Sequence, residues 1–431
     1  MVEVKKEQER KIRCLLVGAP ALDKNKEALP KELQGLVTTL GMEIADTIVL
    51  ARIEPNPVYG IGKGKAGEIA DEAKEAKADC IIFDWEIEPT KQRNWEKLAK
   101  MPVFDRNEVI LRIFASRAKT REASLQVEFA RLTYSMPRLS HSYGDMARQR
   151  GGSFGAKGSG ETQLELDRRQ IEDKILDIKK EIKQVSVNRE TQRKMRERTA
   201  SFSCSLVGYT NAGKSSLLNA LTGADVFVED ELFATLDPTT RRLELPEGSS
   251  ILLTDTVGFI SNLPHLLIDS FKSTLEEAAH ANLLLIVVDA SDSECVAQYK
   301  EVLKVLGEIH ADKIEKLVLL NKIDRVKNDD VALSALDSEF PGALKISAAT
   351  KEGFENLIAT VTEILLGKIE SFRIPLDRSD LISLLKKNGT ITKEEWLEDC
   401  VSITARIPGE FNEEGKASSR TLALLSPYLV K

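Results

Sequence analysis

Cysteine is scarce in this chain, and histidine scarcer. The five cysteines stand at 14, 80, 204, 295 and 400, an odd number spread too widely for a disulfide framework or a CxxC metal knuckle. That usage points to a reducing compartment, the cytoplasm. The four histidines (141, 265, 280 and 310) show no metal-ligand spacing. Long apolar runs are missing too. The longest unbroken aliphatic stretch is Leu283 to Val288, against the roughly 20 apolar residues a membrane span needs, so no transmembrane segment is expected. The first residues, Met1-Val2-Glu3-Val4-Lys5-Lys6, lack the apolar core of a secretory signal. No repeat of roughly 20–50 residues is evident.

What remains is a chain of 431 residues with 42% apolar content, enough to bury real cores and incompatible with wholesale disorder. Its length suggests about two to four domains. With 61 basic and 68 acidic residues the formal charge is −7. A mildly acidic average does not exclude nucleic acid, because local basic patches decide that.

The pattern along the chain predicts four regions, α/β overall. Residues 1–105 alternate β-rich runs (Cys14 to Val17, Thr47 to Leu50, Cys80 to Phe83) with helical stretches near 25–40 and 66–77, which favours a parallel sheet covered by helices. Residues 106–199 turn helical. Ile110, Leu111, Phe114, Ala118, Leu125, Phe129 and Leu132 recur at helical spacing, and Pro137 is expected to end that stretch. A second helix is expected from about 161 to 198, with Ile171, Ile175, Ile178, Ile182 and Val185 as a heptad seam. Between the two, residues 131–160 carry Arg131, Arg138, Arg148, Arg150 and Lys157 against the single acid Asp145, with many glycines. The joint reading is an antiparallel helical hairpin with a basic glycine-rich loop at its tip. A helix of about 26 residues would carry the tip roughly 40 Å out. A flexible linker is the competing reading. Residues 200–368 form a third region of alternating strands and helices, and 369–431 a small α/β tail.

The chemistry is densest in the third region. Gly208-Tyr209-Thr210-Asn211-Ala212-Gly213-Lys214-Ser215 follows the apolar strand Ser203 to Val207 and opens an amphipathic helix. It matches G-x-x-x-x-G-K-[ST], in which glycines let backbone N–H groups close around phosphate oxygens at a helix N-terminus. Lys214 would reach the β- and γ-phosphates, Ser215 would bind Mg²⁺, and Ser216 would join the loop. Asp255-Thr256-Val257-Gly258 ends the strand Ile251 to Thr254. Asp255 there can hold Mg²⁺, usually through water, and the Gly258 N–H can sense the γ-phosphate. Asn321-Lys322-Ile323-Asp324 follows the strand Leu317 to Leu320. A carboxylate there can accept the N1–H and N2–H₂ edge of guanine, a donor pair that adenine lacks. Ser347-Ala348-Ala349 would back the base with main-chain N–H groups. Each short motif alone is usually a turn. In this order, each after a strand, they point to a guanine nucleotide.

Region 200–350 resembles a GTPase of the translation-factor-related class, and other motifs narrow the likeness. Gly158-Ser159-Gly160-Glu161-Thr162-Gln163-Leu164-Glu165 with Asp167-Arg168-Arg169, Gly60-Ile61-Gly62-Lys63-Gly64, Gln92-Arg93-Asn94, Asp105-Arg106 and Phe233-Ala234-Thr235-Leu236-Asp237-Pro238-Thr239 resemble the signature of the HflX family. The resemblance covers nearly the whole chain. It implies a GTP- and GDP-binding, Mg²⁺-dependent GTPase that docks on the large ribosomal subunit and its rRNA as a monomer, in ribosome dissociation, rescue or biogenesis. It makes Thr235 the switch threonine that completes the Mg²⁺ shell, with Phe233 beside the nucleotide; from spacing alone Thr239 and Thr240 compete with Thr235. Lys214, Thr235 and Gly258 would then carry the hydrolysis.

Two positions bear on mechanism. Phe259 stands where many GTPases place a water-orienting Gln, and Phe cannot orient water by hydrogen bonding. Hydrolysis in isolation should be slow; ordinary switch packing is the plain alternative for this residue. Asn211 resembles the residue with which some GTPases recruit K⁺ beside the phosphates; a local backbone cap is the alternative. In the basic loop, Arg138, Arg148, Arg150 and Lys157 would neutralise RNA phosphates, while Tyr134, Tyr143 and Phe154 could stack on bases. Gly60 to Gly64 reads as a tight turn or an anion site. Two rival functions stand beside the GTPase: an RNA-binding assembly scaffold with GTP as a structural ligand, and an RNA remodeller with a second nucleotide site in residues 1–105.

Overall fold

The computed structural model describes residues 10–18, 30–51, 56–139, 159–197, 202–224, 232–261, 277–407, 410–411, 417–418 and 420–430. They fall into two compact units. The first takes the described residues up to Arg189 together with Leu232 and Phe233, and the second takes the remainder.

In the first unit, β1 (Arg13–Gly18), β2 (Glu43–Val49), β3 (Cys80–Phe83) and β4 (Val103–Asp105) form a parallel sheet in the order β2-β1-β3-β4. Every residue of β3 and all but the first of β1 are buried, as an unbroken apolar strand covered on both faces must be. Helices α1 (Lys31–Thr39), α2 (Lys63–Glu75) and α3 (Pro89–Ala99) connect the strands. Trp95 of α3 is fully buried. Its ring lies 4.8 Å from Phe83, and its indole N–H donates to the Tyr59 carbonyl at 2.9 Å, so its one polar atom is satisfied inside the core.

The helical stretch after β4 is two helices, α4 (Arg106–Arg117) and α5 (Arg121–Leu139). Thr120 starts the second: its hydroxyl accepts the Ala123 N–H at 3.1 Å. Pro137 does not end the stretch as expected, because α5 runs on to Leu139. The Arg138 guanidinium ties this turn down by donating to the Tyr134 carbonyl at 2.9 Å. The long helix α6 (Ser159–Glu197) has 39 residues. Arg121 pairs with Glu181 and Glu128 with Lys174, while Lys179 lies over the Phe129 ring. The two ion pairs, whose α6 partner falls from Glu181 to Lys174 as the α5 partner rises from Arg121 to Glu128, define an antiparallel hairpin. Ile178 of the heptad seam is buried, and Ile171, Ile175, Ile182 and Val185 are half-buried.

The second unit holds a six-stranded sheet of β5 (Ser203–Gly208), β6 (Thr239–Glu244), β7 (Ser250–Asp255), β8 (Leu283–Asp289), β9 (Lys316–Asn321) and β10 (Leu344–Lys345). The order is β10-β9-β8-β5-β7-β6, parallel except for the edge strand β6, which pairs antiparallel with β7. Helices α7 (Lys214–Thr222), α8 (Cys295–Glu308), α9 (Asp330–Glu339) and α10 (Phe354–Leu366) cross between strands. Leu206, Leu217, Leu253, Leu285, Leu319 and Leu357 belong to one buried core. The tail forms β11 (Ile369–Pro375), α11 (Ser379–Asn388), β12 (Thr390–Trp396) and β13 (Cys400–Arg406), an antiparallel sheet ordered β11-β13-β12. Its alternate residues Val401, Ile403 and Ala405 face a core shared with Leu381 and Leu385 of α11. Among the described residues no helix is long and apolar enough to cross a membrane.

Candidate functional site

The carboxyl ends of β5, β7 and β9 meet at one edge of the six-stranded sheet, and the glycine-rich segment lies there. Two of its glycines are dictated by close approach. A Cβ on Gly208 (φ +153°) would fall 2.3 Å from the Val287 carbonyl oxygen, and one on Gly213 (φ +95°) would fall 2.3 Å from Asn321 Nδ2. Gly213 caps α7 without any side-chain hydrogen bond, so the first amides of that helix face the loop with no side chain filling them. This is the arrangement by which a helix N-terminus takes an anion. Ser216 sits in the first turn of the same helix.

Lys214 is buried, and its ammonium donates to the carbonyls of Gly208 at 3.1 Å and Tyr209 at 2.8 Å. Burial pulls its pKa down to about 8, against the opposing pull of Asp255. Asp255 is fully buried, and burial pushes its carboxyl above the usual range while Lys214 and two hydroxyl donors pull it back. Those donors are Ser215 at 2.7 Å and Thr235 at 3.0 Å, both on Oδ2, and the two hydroxyls lie 2.8 Å apart. The other carboxylate oxygen, Oδ1, is buried without a partner. Of the three competing threonines the structure brings Thr235 to this cluster. Thr239 lies on β6, as does Thr240, whose hydroxyl pairs with Thr254 across the ladder at 3.0 Å.

These oxygens suit a small divalent cation. Adjacent ligands of an octahedral ion at 2.0–2.1 Å lie about 2.9 Å apart, close to the Ser215–Thr235 separation of 2.8 Å. Among the described residues Asp255 Oδ1 has no hydrogen-bond partner, so it adds a free acceptor.

The segment after Asp255 is stapled to the loop. Thr210 N–H donates to the Phe259 carbonyl at 2.7 Å, and Phe259 N–H donates to the Gly208 carbonyl at 3.1 Å. The Tyr209 hydroxyl accepts the Ser261 N–H at 2.7 Å. Gly258 fits between Thr210 and Lys214, where a Cβ would meet Thr210 Cα and Cγ2 at 2.8 Å each and Lys214 Nζ at 3.1 Å. Phe259 and Ile260 are buried, so the side chain after the glycine is packing, its plain alternative.

At the other end, Asn321 acts as a brace. Its amide nitrogen donates to the Ala212 carbonyl at 2.8 Å, and its oxygen accepts the Ala348 N–H at 3.0 Å. The Ala348 amide, expected to back a base, is therefore spent holding Asn321, while Ala349 lies in the adjoining turn. Lys322, in left-handed backbone (φ 60°), spans from the Asn211 carbonyl at 2.8 Å to Asp289 at 2.7 Å. Asn211 is itself left-handed (φ 59°), and its side chain is exposed. Asp324 Oδ1 accepts the buried Ser347 hydroxyl at 2.5 Å, which fixes the rotamer of a carboxylate that can face a purine edge. Sequence reasoning missed Asp289, although a carboxylate ending the apolar strand β8 was a visible signal.

Other expected residues are not brought here. Phe233 belongs to the first unit, where its side chain is buried and its ring lies edge-on to Phe114 at 4.7 Å. Arg138 is also committed internally. It donates to Gln92 Oε1 at 3.0 Å, the Ile87 carbonyl at 2.9 Å and Asp105 at 3.3 Å, and stacks 3.5 Å over Tyr134. A guanidinium so occupied, with 17% of its side chain exposed, is a structural cation and not a phosphate contact. The Tyr134 hydroxyl is likewise bound to Asp105 at 2.7 Å. Arg148, Arg150 and Lys157, with Tyr143 and Phe154, lie outside the described residues.

Comparison with known proteins agrees with this geometry. Residues 203–322 match a family described as 50S ribosome-binding GTPase, 27–115 the GTP-binding GTPase N-terminal family, and 117–196 the GTP-binding GTPase Middle Region family. The chain is 42% identical to GTPase HflX of Akkermansia muciniphila, over 95% of this chain and 98% of that protein. It is 40% identical to GTPase HflX of Escherichia coli K12, over 90% of this chain and 91% of that protein. A GTP-binding protein from Sulfolobus solfataricus, solved with GDP, aligns at 24% identity and a TM-score of 0.42, covering 82% of this chain and 98% of that one.

Proposed function

The chain belongs to the HflX family of GTPases, and from that premise we propose that it hydrolyses GTP with Mg²⁺ on the large ribosomal subunit, where it dissociates, rescues or helps to build ribosomes. One observation carries the catalytic part: the Ser215, Thr235 and Asp255 oxygens gathered within 3.0 Å of one another beside Lys214. In this reading the loop amides from Asn211 to Ser216 hold the phosphates, and Lys214 reaches the β- and γ-phosphoryl oxygens. Ser215 and Thr235 would hold Mg²⁺ directly and Asp255 through water; bound there, the ion would neutralise charge on the β- and γ-phosphates. Gly258 N–H meets the third phosphate. Asp324, oriented by Ser347, takes the guanine edge, and Asn321 keeps the loop in register with it.

The ribosomal part is supported by the description of the family matched by residues 203–322. Chemistry supports it as well. The buried Phe259 leaves the attacking water without a side-chain acceptor at the usual place, which favours a bound partner that completes the site. The exposed Asn211 side chain leaves room for K⁺ beside the loop, which hydrolysis rates in K⁺ against Na⁺ would test. The deciding experiment is sedimentation with ribosomal subunits under GDP and under a non-hydrolysable GTP analogue, paired with phosphate release with and without subunits. Analogue-dependent co-sedimentation and stimulated release are expected. Equal sedimentation under both nucleotides would favour the scaffold reading, in which no nucleotide-dependent step matters.

A further inference from the structure

Thr210 belongs to the phosphate loop by position, but its side chain has a more particular placement. The residue is buried, and its hydroxyl oxygen has no hydrogen-bond partner. Among the described residues only one other buried side-chain oxygen shares that condition, Asp255 Oδ1, at the same site. Buried hydroxyls are nearly always paired, so an orphan within a phosphate-binding loop marks a contact left for a ligand.

The surroundings say which part of the ligand. The Thr210 N–H is already occupied by the Phe259 carbonyl at 2.7 Å, so this residue does not offer its amide to phosphate as the later loop residues can. Its Cα and methyl press against Gly258, where an added Cβ would lie 2.8 Å from each, and the same point is 3.1 Å from Lys214 Nζ. Thr210 therefore lies against the switch glycine, on whose other side stands the loop lysine; that glycine and lysine are the two groups that address the terminal phosphoryl in a phosphate-loop site. It precedes the helix N-terminus that takes the inner phosphates. The methyl is consumed by packing against Gly258, which leaves the hydroxyl as the polar tip.

Resting on the GTPase reading, we propose that the Thr210 hydroxyl donates a hydrogen bond to a γ-phosphoryl oxygen and so helps the site distinguish a nucleoside triphosphate from the diphosphate. Threonine here is then a specificity determinant, with a chemistry that valine of the same shape lacks.

The test uses the full chain with Thr210→Val and Thr210→Ser, titrated calorimetrically in Mg²⁺ with GDP and with a non-hydrolysable GTP analogue. Thr210→Val should weaken the analogue about tenfold, as expected for losing a hydrogen bond to a charged group. GDP should stay within about twofold of the parent, which also certifies that the variant is folded. Thr210→Ser, which keeps the hydroxyl, should restore most of the analogue affinity. Equal losses for both nucleotides would overturn the proposal and make Thr210 a packing residue; no loss for either would overturn it as well. A parent chain binding neither nucleotide would defeat the GTPase reading itself, and this inference with it.

Discussion

Replacing Gly258 by alanine perturbs the switch at a point where the structure sets the magnitude. The new Cβ would stand 2.8 Å from Thr210 Cα and Cγ2, closer than carbon atoms approach in folded proteins. A backbone Cα cannot swing away as a side-chain end can. One outlet is local overpacking, which costs about 1–3 kcal/mol. The other is to open the staple, which breaks the Thr210–Phe259 and Phe259–Gly208 hydrogen bonds. Two net backbone bonds amount to about 1–3 kcal/mol as well. Either outlet disfavours the closed switch by about 5- to 150-fold. On the proposed reading, in which Gly258 N–H meets the terminal phosphate, the cost falls on hydrolysis and spares the diphosphate, which has none there. The assay is single-turnover phosphate release at saturating GTP, with GDP affinity by calorimetry and far-UV circular dichroism as controls. A Gly258→Ala chain that hydrolyses at the parental rate, or that loses GDP and GTP equally, would refute the reasoning.

Two further outcomes follow from buried charges. Burial holds Lys214 near pH 8 against an ordinary 10.5, so the penalty for its charge in the nucleotide-free protein is complete below about 8 and fades as pH rises toward 10.5. Nucleotide binding restores the full charge, so at pH 8 it should take up about half a proton and at pH 6.5 almost none; calorimetry in buffers of different ionisation heat reads this, and heat independent of buffer at pH 8 would contradict it. Arg138→Ala should loosen the first unit, because it leaves Asp105, whose side chain is 1% exposed, without its cation. Ile87 N–H, Glu108 N–H and the Tyr134 hydroxyl still serve that carboxylate, so the loss should be about 2–3 kcal/mol, less than the about 3–5 of a fully orphaned buried charge. Hydrogen exchange should quicken in α5 and β4; exchange at the parental rate with weakened RNA binding would return Arg138 to the role the sequence suggested.

The parts of this molecule that were legible in sequence are those whose meaning is local. A strand, a glycine-rich turn and a helix in immediate succession carry their geometry within a dozen or so residues, so the course of Gly208 to Ser215 could be read from those residues alone. Carboxylates and amides at strand ends, Asp255 and Asn321, were readable because a parallel sheet brings its carboxyl edges together. The choice among Thr235, Thr239 and Thr240 was not readable, since it depends on which hydroxyl reaches Ser215, 20 residues upstream of Thr235. Arg138 failed for the same reason on a larger scale: its acceptors, Ile87, Gln92 and Asp105, lie 33 to 51 residues away. A cation in a basic stretch looks like surface until its partners are known. The break at 118–120 was the exception, a local signal overlooked, for Thr120 accepting from Ala123 is an ordinary cap.

The site's stability and its responsiveness have different sources. The loop is braced by neighbours that do not need a ligand: β8 closes against Gly208, Asn321 ties Ala212 to Ala348, and Lys322 ties Asn211 to Asp289. Ordering the loop therefore costs binding little. The switch residues are held differently. Thr235 is anchored here by donating to Asp255, with the Ser215 hydroxyl oxygen 2.8 Å away, the same oxygens a divalent ion would claim. An ion therefore exchanges those bonds for its own and gains chiefly from the unpartnered Asp255 Oδ1. A nucleotide state can shift the switch only through contacts one state has and the other lacks. On the proposed reading those contacts are Gly258, Lys214 and Thr210, gathered where a Cβ added to Gly258 would meet Thr210 at 2.8 Å and Lys214 Nζ at 3.1 Å.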